Sequence, residues 1–422
     1  GSTSATSSFC GPPSARRPPD PFGAVTAPAL ARAAERAPAG RWRTVPGLGS
    51  VRLAPSCAVA GPAGPASVLD ALAGGRTEVL AVTVDGGGRV LELPVRSQRA
   101  LHRCLAGPAA AGLDEATVRA LRTLVLDGVL ELQGRRPPRT GPGTWARLCD
   151  RPTGAGDGGG ALHRLSVDAV RHGAAFGALE PAQLTARLYF FNRRPATPAW
   201  RYRLPTVATV QGFLGLDRAM ATPAMREAWR RASRNDPRET GWVFFRSSRR
   251  RRAGAPRYKV YASPGIDRVP DLVALLPDLL DDEVVDAFKV GAHLYALLRP
   301  DKFVLYCSSL DAVHAVGRRL VDGLAGMEAH GVPFTAPLAA DGLVSWGADP
   351  PPGYHAGSTR ERNSWRLWVA SLLADALAGA AATPGLDLPP PDYAMLRLAE
   401  DGVGLPGWEP PPAFTAAAAD GE

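Results

Sequence analysis

The chain has 422 residues, of which 45% are hydrophobic, and its formal net charge at pH 7 is +9. A chain of this length and composition can bury a substantial core and is expected to form two domains rather than one. No segment approaches the roughly 18 consecutive apolar residues that a membrane helix needs, and no hydrophobic signal region opens the chain. We therefore expect a cytoplasmic protein that has no membrane partner.

The first 150 residues predict a polar N-terminal segment followed by a small domain. Residues 1–24 are rich in Pro and Ser and begin with Gly1-Ser2, so we interpret them as a disordered segment that includes the remnant of a tag. Residues 25–150 predict an α/β domain, in which three glycines at 86–88 form a hairpin turn between two strands. A helix over 114–126 ends near a glycine and leads at once into a short strand, as in winged-helix domains. Such a domain is expected either to recognise a leader peptide or to serve only as a packing unit.

The rest of the chain predicts a larger domain. The glycine-rich residues 151–160 predict a linker, 161–400 the main domain, and 401–422 a flexible tail. Strands are predicted over 242–246, 257–262, 284–290 and 303–307, and helices over 181–194, 223–234, 266–280, 293–298, 310–328 and 365–378, the last of them amphipathic. The first two strands are expected to pair as a hairpin. Paired strands followed by strands interleaved with helices predict an α+β fold, with a mixed sheet flanked by helices.

Several common catalytic motifs do not occur in the sequence. G-x-x-x-x-G-K is not found, and the glycine-rich residues 151–160 do not follow a predicted strand as a dinucleotide-binding loop would, which argues against a kinase or a dehydrogenase. The sequence also lacks H-E-x-x-H, a His pair at ligand spacing and G-x-S-x-G, and its five cysteines form no C-x-x-C pair. We therefore expect no metal and no other cofactor.

Lysine is rare in this chain. Only Lys259, Lys289 and Lys302 occur, whereas the other 46 of the 49 basic residues are arginines. Arginine supplies fixed positive charge, but only an amine can lose its proton near neutral pH and act as a base. The three lysines therefore indicate where chemistry takes place, unless they are simply what remains in an arginine-rich composition.

These three lysines belong to a larger group of basic residues. Its members are Arg246, Arg257, Lys259, Lys289, His293, Arg299 and Lys302. Strand alternation places Arg257, Lys259 and Tyr261 on one face, and it places Lys289 on the face opposite to Phe288. If the two strands are neighbours, amines and guanidinium groups converge in an arrangement suited to a phosphate group.

Clustered cations and burial both lower the pKa of a lysine, so that its neutral amine can act as a base. The reaction this suggests is β-elimination from phosphoserine or phosphothreonine, with arginines on the phosphate and an acid such as His293 at the leaving group. In the alternative interpretation, Lys259 and Lys302 are surface ends of strands and His293 is a helix residue packed against the sheet.

At these residues the sequence resembles the HopA-class type III effectors and their actinobacterial relatives, the lyase components of class V lanthipeptide and thioamitide pathways. The resemblance covers residues 188–377 and depends on the order and spacing of short motifs. These motifs are Arg257-Tyr258-Lys259-Val260-Tyr261, Phe288-Lys289-Val290, Arg299-Pro300-Asp301, Val304-Leu305-Tyr306, Gly331-Val332-Pro333-Phe334-Thr335 and Gly342-Leu343.

The resemblance implies a phosphoserine/phosphothreonine lyase that acts on a phosphorylated ribosomal precursor peptide and makes dehydroalanine or dehydrobutyrine. It also implies a kinase-like phosphotransferase partner and a cyclase that acts afterwards. Lys289 becomes the candidate base and Arg299 a candidate phosphate ligand, with Arg257 and Lys259 as supporting cations. Arg246, Lys302 and Arg366 complete the candidate phosphate-binding set, although Arg366 is displaced from the arginine of the relatives.

Two other functions are compatible with the sequence. The first is a non-catalytic partner that presents the peptide to a kinase-like maturation enzyme. The second is a nucleic-acid-binding regulator, which the net charge of +9 and the winged-helix pattern suggest. Because basic and aromatic residues are not interleaved as a base-stacking platform requires, we do not expect nucleic acid as a partner.

Overall fold

The computed structural model describes residues 42–46, 48–55, 57–60, 80–84, 89–93, 97, 100–101, 104, 113–134, 139–148, 159–177, 179–232, 237–249, 257–280, 284–351, 364–381 and 388–416. Four sequence predictions concern residues that lie outside these ranges. They are the disordered segment 1–24, the turn at 86–88, most of the linker 151–160, and the end of the tail at 417–422.

Within the described residues, the N-terminal part includes two three-stranded antiparallel sheets and the two helices named below. Its elements are β1 (Arg43–Val45), β2 (Gly49–Leu53), β3 (Ala58–Ala60), β4 (Leu80–Val84), β5 (Arg89–Leu93), α1 (Glu115–Leu126), β6 (Leu130–Leu132) and α2 (Pro142–Leu148). The Asp114 side chain caps α1 by accepting a hydrogen bond from the Thr117 backbone N–H at 2.7 Å. Gly128, at a φ of 79°, then turns the chain into β6. The predicted helix and following strand are confirmed, as is the pairing of β4 with β5, but a winged-helix fold is not.

A seven-stranded sheet forms the centre of the main part of the chain. Its strands are β7 (Trp229–Arg231), β8 (Trp242–Ser247), β9 (Tyr258–Ala262), β10 (Ala287–Gly291), β11 (Phe303–Cys307), β12 (Ala336–Pro337) and β13 (Val344–Ala348). They lie in the order β12-β13-β9-β11-β10-β8-β7, and every neighbouring pair is antiparallel. The α+β class is confirmed, while the mixed sheet is corrected to an antiparallel one. A parallel crossover needs a dozen or more residues, usually with a full helix, and the β10–β11 connection holds only a four-residue helix.

The predicted hairpin of β8 with β9 is wrong. Strands β10 and β11 lie between them, so that β8 pairs with β10 and β9 pairs with β11. The apolar alternation of a strand determines which of its faces is buried, but it does not determine which strand becomes its neighbour.

Helices cover both faces of this sheet. They are α3 (Ala161–Ala174), α4 (Pro181–Tyr189), α5 (Pro198–Arg203), α6 (Val207–Leu214), α7 (Leu216–Met220), α8 (Pro223–Ala228), α9 (Pro237–Thr240), α10 (Val269–Ala274), α11 (Leu276–Leu279), α12 (Leu294–Leu297), α13 (Leu310–Gly323), α14 (Trp365–Ala381), α15 (Pro390–Glu400) and α16 (Pro412–Ala416). Helix α13 contacts β9, β11 and β13, and its apolar residues share one core with Val260, Phe288 and Leu305. Helix α14 packs against α4 and α15. In the described part of the chain, no helix has both the length and the apolar composition required to cross a bilayer.

Five predicted helices differ from those observed, two of them only by ending early: 181–194 stops at Tyr189, and 310–328 stops at Gly323. The other three differ more. The helix over 223–234 stops at Ala228 because the chain continues as edge strand β7. The helix over 266–280 is divided into a short 3-10 turn, α10 and α11, and both α-helices have a proline in their first turn. Helix α14 is buried on most sides rather than amphipathic, because other helices enclose it.

The predicted flexible tail is wrong over residues 401–416. The side chains of Trp408 and Phe414 are completely buried. Trp408 Nε1 lies 3.2 Å from His163 Nδ1, and the Phe414 ring lies 5.0 Å from that of Trp368. Burial of two large aromatic side chains fixes this segment on the main core. An ion pair between the half-buried Arg397 of α15 and the buried Asp127 also joins the C-terminal helices to the N-terminal part.

Candidate functional site

One face of the central sheet collects the candidate residues. Lys289 on β10 lies opposite Val304 on β11, and Lys259 on β9 lies opposite Tyr306 on the same strand β11. Directly opposed residues of an antiparallel pair share a face of the sheet. Lys259, Lys289 and Tyr306 therefore lie on one face, whereas Phe288 belongs to the core on the other. Although β9 and β10 are not neighbours as the sequence analysis supposed, the two lysines approach the single ring of Tyr306 between them.

The Lys289 amine lies in an aromatic environment. Its Nζ is 4.1 Å from the centroid of the Trp242 ring and 6.0 Å from that of Tyr306. Burial lowers the pKa of Lys289 to about 8, with the charges of Lys259 and Arg299 adding to the effect and that of Asp301 opposing it. At neutral pH about one-tenth of this amine is therefore neutral, which is far more than for an ordinary lysine.

Lys259 forms an ion pair with a carboxylate. Its Nζ donates to both Asp349 oxygens, at 2.7 and 2.5 Å, and lies 5.7 Å from the Tyr306 ring centroid. Asp349 Oδ1 also accepts a hydrogen bond from the Trp365 backbone N–H at 2.9 Å, at the start of α14. The ion pair thus fixes Lys259 between the sheet and the N-terminus of this helix.

Two arginines share one buried carboxylate. Arg299 donates from Nε and Nη2 to the two oxygens of Asp301, each at 2.8 Å, and Arg366 Nη1 lies 2.9 Å from Asp301 Oδ2. Burial alone would raise the pKa of Asp301, but the charges of Arg366 and Arg299 outweigh it and hold that pKa well below its usual range. Asp301 is therefore ionised at neutral pH, and it orients both guanidinium groups.

Aromatic residues complete the environment of Arg299. Its Cζ lies 5.3, 5.1 and 5.2 Å from the ring centroids of Tyr189, Phe190 and Trp242, and its Nη2 donates to the Tyr189 hydroxyl at 3.0 Å. Arg366 donates to the Tyr189 backbone carbonyl, also at 3.0 Å. The end of α4 therefore holds both arginines, and the Trp242 ring contacts both Arg299 and Lys289.

Taken together, the charged groups of this site suit a dianion. Four cations, Lys259, Lys289, Arg299 and Arg366, accompany the two carboxylates of Asp301 and Asp349. When Lys289 is protonated, the net charge of the group is +2. Such an excess of positive charge in a partly buried place favours a phosphate dianion.

The remaining predicted arginines lie at the margin of this arrangement. Arg246 is exposed, lies opposite Ala287, and stacks on Phe244 with its Cζ 5.5 Å from the ring centroid. Arg257 donates to the Phe414 carbonyl at 3.3 Å. Arg246 thus remains accessible on the same face of the sheet, whereas Arg257 also binds the C-terminal segment.

Lys302 is buried away from solvent, so the interpretation of it as a surface strand end is wrong. It is fully buried, and its Nζ donates to the Pro264 carbonyl at 2.9 Å and lies 2.8 Å from His330 Nδ1. Burial lowers the pKa of Lys302 to about 7, with the charge of Arg194 adding to the effect and that of Asp301 opposing it. With these partners, Lys302 is not positioned to bind a phosphate group.

His293 caps a helix. Its Nδ1 accepts a hydrogen bond from the Ala296 backbone N–H at 3.0 Å, at the start of α12. Burial lowers the pKa of His293, and the charges of Arg193 and Arg299 lower it further, against a backbone hydrogen bond that raises it. At neutral pH the ring is therefore neutral with its proton on Nε2, which makes it a poor general acid. This geometry favours the interpretation of His293 as a packed helix residue.

Five residues that build the site had no role predicted from the sequence: Tyr189, Trp242, Asp301, Tyr306 and Asp349. Asp301 follows Arg299 by two residues, and strand alternation places Tyr306 on the face of β11 that carries Val304. These two were within reach of sequence patterns. Asp349, which meets Lys259 across 90 residues of chain, gave no local signal.

No protein-family model matches the chain, and no curated protein matches it in sequence. Its fold is similar to that of an effector protein from Pseudomonas syringae pv. tomato strain DC3000, with 12% identity, a TM-score of 0.38, and coverage of 58% of this chain and 97% of that one. An effector protein from Pseudomonas syringae pv. syringae strain 61 gives 15% identity, a TM-score of 0.37, and coverage of 57% and 95%. The type III effector/phosphothreonine lyase OspF from Shigella flexneri gives 17% identity, a TM-score of 0.26, and coverage of 40% and 90%. The matches therefore span most of each neighbour but less than two thirds of this chain.

Proposed function

We propose that this protein is a lyase that eliminates phosphate from phosphoserine or phosphothreonine residues of a peptide. The observation that carries the proposal is the Lys289 amine, whose pKa is lowered to about 8 on a sheet face that also holds the Lys259 ammonium ion. A base, an acid and paired arginines on one face are the groups that this reaction requires. The sequence resemblance to lyase components supports the same activity.

The proposed reaction uses one amine as base and the other as acid. Neutral Lys289 removes the Cα proton of the phosphorylated residue, and the electron pair of that bond forms the Cα–Cβ double bond. The Cβ–O bond breaks, and the leaving phosphate takes a proton from the Lys259 ammonium ion. Lys289 ends as an ammonium ion and Lys259 as an amine, so proton exchange with water restores the starting state. Lys259 replaces His293 as the acid because the His293 ring is neutral and caps a helix.

Arg299 is the main phosphate ligand in this proposal. Its Nε and Nη2 are engaged by Asp301 and Tyr189, and within the described residues no hydrogen bond uses its Nη1. A phosphate oxygen at Nη1 would lie beside a guanidinium that three aromatic rings already hold in place. Binding therefore requires little reorganisation of the arginine, which lowers its cost.

We assign the peptide substrate by the sequence resemblance. It is a ribosomal precursor peptide of the lanthipeptide type, which a kinase-like phosphotransferase phosphorylates first and a cyclase modifies later. In this assignment the N-terminal domain contacts the leader of the precursor while the sheet face acts on its core. The presenter alternative differs in one respect, because such a protein would bind the phosphopeptide without changing its mass.

The direct test is to incubate the purified protein with a phosphoserine peptide, in the presence of a chelator and without nucleotide. We expect the peptide to lose about 98 Da, the mass of phosphoric acid, and to become reactive towards thiols through its new double bond. Loss of about 80 Da, the mass of the phosphoryl group alone, would instead identify hydrolysis to serine. An unchanged mass, with and without the kinase-like partner, would contradict a lyase and favour the presenter.

The dependence of the rate on pH tests the role of Lys289. Only the neutral amine is a base, so kcat/KM should rise about tenfold per pH unit below the Lys289 pKa of about 8 and level off above it. The profile is measured from about pH 6 to about pH 9.5 with a phosphopeptide whose own titration is recorded separately, because its phosphate titrates near pH 6. A rate that falls as the pH passes 8 would show that the reaction needs the charged form of Lys289.

A further inference from the structure

Most of the excess positive charge of the protein lies in one segment. Residues 187–231 contain nine arginines and only two acidic residues, which gives this segment a net charge of +7 within a chain of +9. Eight of the nine arginines are exposed. A concentration of exposed arginines of this kind attracts acidic partners and raises their rate of encounter.

This basic segment starts at the candidate site. It follows directly from the end of α4, where Tyr189 and Phe190 contact the guanidinium of Arg299. The Arg194 backbone N–H donates to the Leu298 carbonyl at 3.0 Å, next to Arg299 in the chain. The first arginines of the basic segment therefore adjoin the face where elimination is proposed.

Exposed aromatic side chains border the site at the same place. Among the described residues, the large apolar side chains that remain exposed are Phe190 at 42%, Tyr202 at 91% and Tyr295 at 50%. Phe190 lies against Arg299, while the Tyr295 ring centroid lies 5.2 Å from the Cζ of Arg193. Aromatic residues together with arginine are the types most enriched at the centres of binding interfaces.

Arg193 presents an accessible guanidinium on this border. It is exposed and stacks on Tyr295, and in the part of the chain that the structure describes no acidic side chain pairs with it. Arg194, by contrast, lies 3.5 Å from Glu328. A guanidinium that is held by an aromatic ring and has no acidic partner is prepared to bind a carboxylate by two parallel hydrogen bonds.

We propose that Phe190, Arg193 and Tyr295 form a docking rim for the peptide residues that flank the phosphorylated residue, and that Arg193 selects an acidic side chain there. This inference rests on the proposed function, since it names the class of phosphopeptide that the same site accepts. The phosphate lies at Arg299, the flanking backbone crosses Phe190 and Tyr295, and the acidic side chain reaches Arg193. The rim thus distinguishes acidic from basic sequence contexts before elimination takes place.

The test compares two phosphoserine peptides that differ only in a glutamate or a lysine next to the phosphorylated residue. For the wild-type protein we expect kcat/KM to be roughly three- to tenfold higher for the glutamate peptide, and we expect Arg193→Glu to remove or reverse this preference. Arg187→Glu is the matched control. Arg187 is also exposed, and its Cζ lies 5.4 Å from the centroid of the Phe176 ring. Arg187→Glu therefore changes the net charge by the same amount as Arg193→Glu, but beside a different ring.

Three outcomes would overturn the docking rim. The first is that both peptides react, and at equal rates. The second is that Arg187→Glu and Arg193→Glu lose the preference for glutamate equally. The third is that a single-stranded oligonucleotide binds more tightly than the glutamate peptide and that this binding depends on Arg193. If the wild-type protein eliminates phosphate from neither peptide, the proposed function fails. Fluorescence anisotropy with labelled copies of the same two peptides then decides the rim separately, because the preference for glutamate must appear in Kd and vanish in Arg193→Glu.

Discussion

Replacing Lys289 with methionine is expected to lower the rate of elimination by roughly 10² to 10⁴, the range typical of a positioned general base. Methionine has nearly the length of lysine and fills the space beside Trp242 and Tyr306 without an ionisable group. The phosphopeptide should therefore still bind, because the arginine pair at Asp301 is unchanged. A single-turnover measurement of the chemical step, together with Kd from the change in protein fluorescence, separates the two effects.

The matched variant Lys289→Arg tests whether charge or basicity matters at this position. It keeps the positive charge beside Trp242, but a guanidinium does not lose its proton in the working range of pH. If Lys289 is the base, Lys289→Arg should be as inactive as Lys289→Met. If Lys289 only binds the phosphate, Lys289→Arg should retain most of the activity, and the assignment of the base would be wrong.

Much of the sheet face that carries these residues could be predicted from local patterns. The two-residue period of a strand places Lys289 opposite to Phe288, and Lys259 on the same face as Tyr261. The bounds of β8, β9 and β11 follow from short apolar segments rich in aromatic and β-branched residues. These features depend only on neighbouring residues, which is why they are visible in the sequence.

Features that depend on distant parts of the chain could not be predicted in the same way. The insertion of β10 and β11 between β8 and β9 depends on the global arrangement of strands. The environment of Lys302 follows from the approach of His330, 28 residues away, and Asp349 reaches Lys259 from 90 residues away. A pattern of residue types shows that a charged side chain is present in a strand, but not whether solvent, a carboxylate or a buried imidazole will face it.

The C-terminal segment is a further case in which local composition does not predict the structure. Residues 401–416 contain prolines and glycines, which favour loops, and they lie in the predicted flexible tail. Trp408 and Phe414 nevertheless fix the segment, because each side chain buries a large apolar surface against residues from other elements. Two aromatic residues in a loop outweigh the conformational preference of its prolines and glycines.

The second large effect is expected for Asp301→Asn, which should lower the free energy of unfolding by about 3 to 5 kcal/mol. Asparagine keeps the shape of the side chain but removes the charge, so it leaves the guanidinium groups of Arg299 and Arg366 near each other without compensation. The Arg366 side chain is only 1% exposed, and water cannot replace the lost carboxylate there. Urea unfolding at neutral pH measures the loss, with an unchanged m-value as the sign that the folded state is retained.

The effect of pH on this difference has a definite sign. The folded-state pKa of Asp301 lies below the unfolded value of about 3.9, so the stabilisation by its carboxylate is present above that value and is lost as the pH falls towards the folded pKa. The difference between the wild-type protein and Asp301→Asn should therefore stay constant from about pH 5 to pH 8 and shrink only in acid. A difference that already disappears near pH 6 would mean that another group is responsible.

Asp349→Asn supplies the matched control for Asp301→Asn, because Asp349 is 25% exposed and its ion-pair partner is the single cation Lys259. Its loss of stability should be about 1 kcal/mol, as for partly exposed ion pairs. Inorganic phosphate should then stabilise Asp301→Asn more than the wild-type protein, since the anion can occupy the place of the missing carboxylate between the two arginines. If phosphate shifts both unfolding curves equally, it binds without taking the place of Asp301, as expected for binding at Arg299 Nη1. If it shifts neither curve, the arginine pair is closed to anions, and the phosphate of the substrate must bind elsewhere on the face.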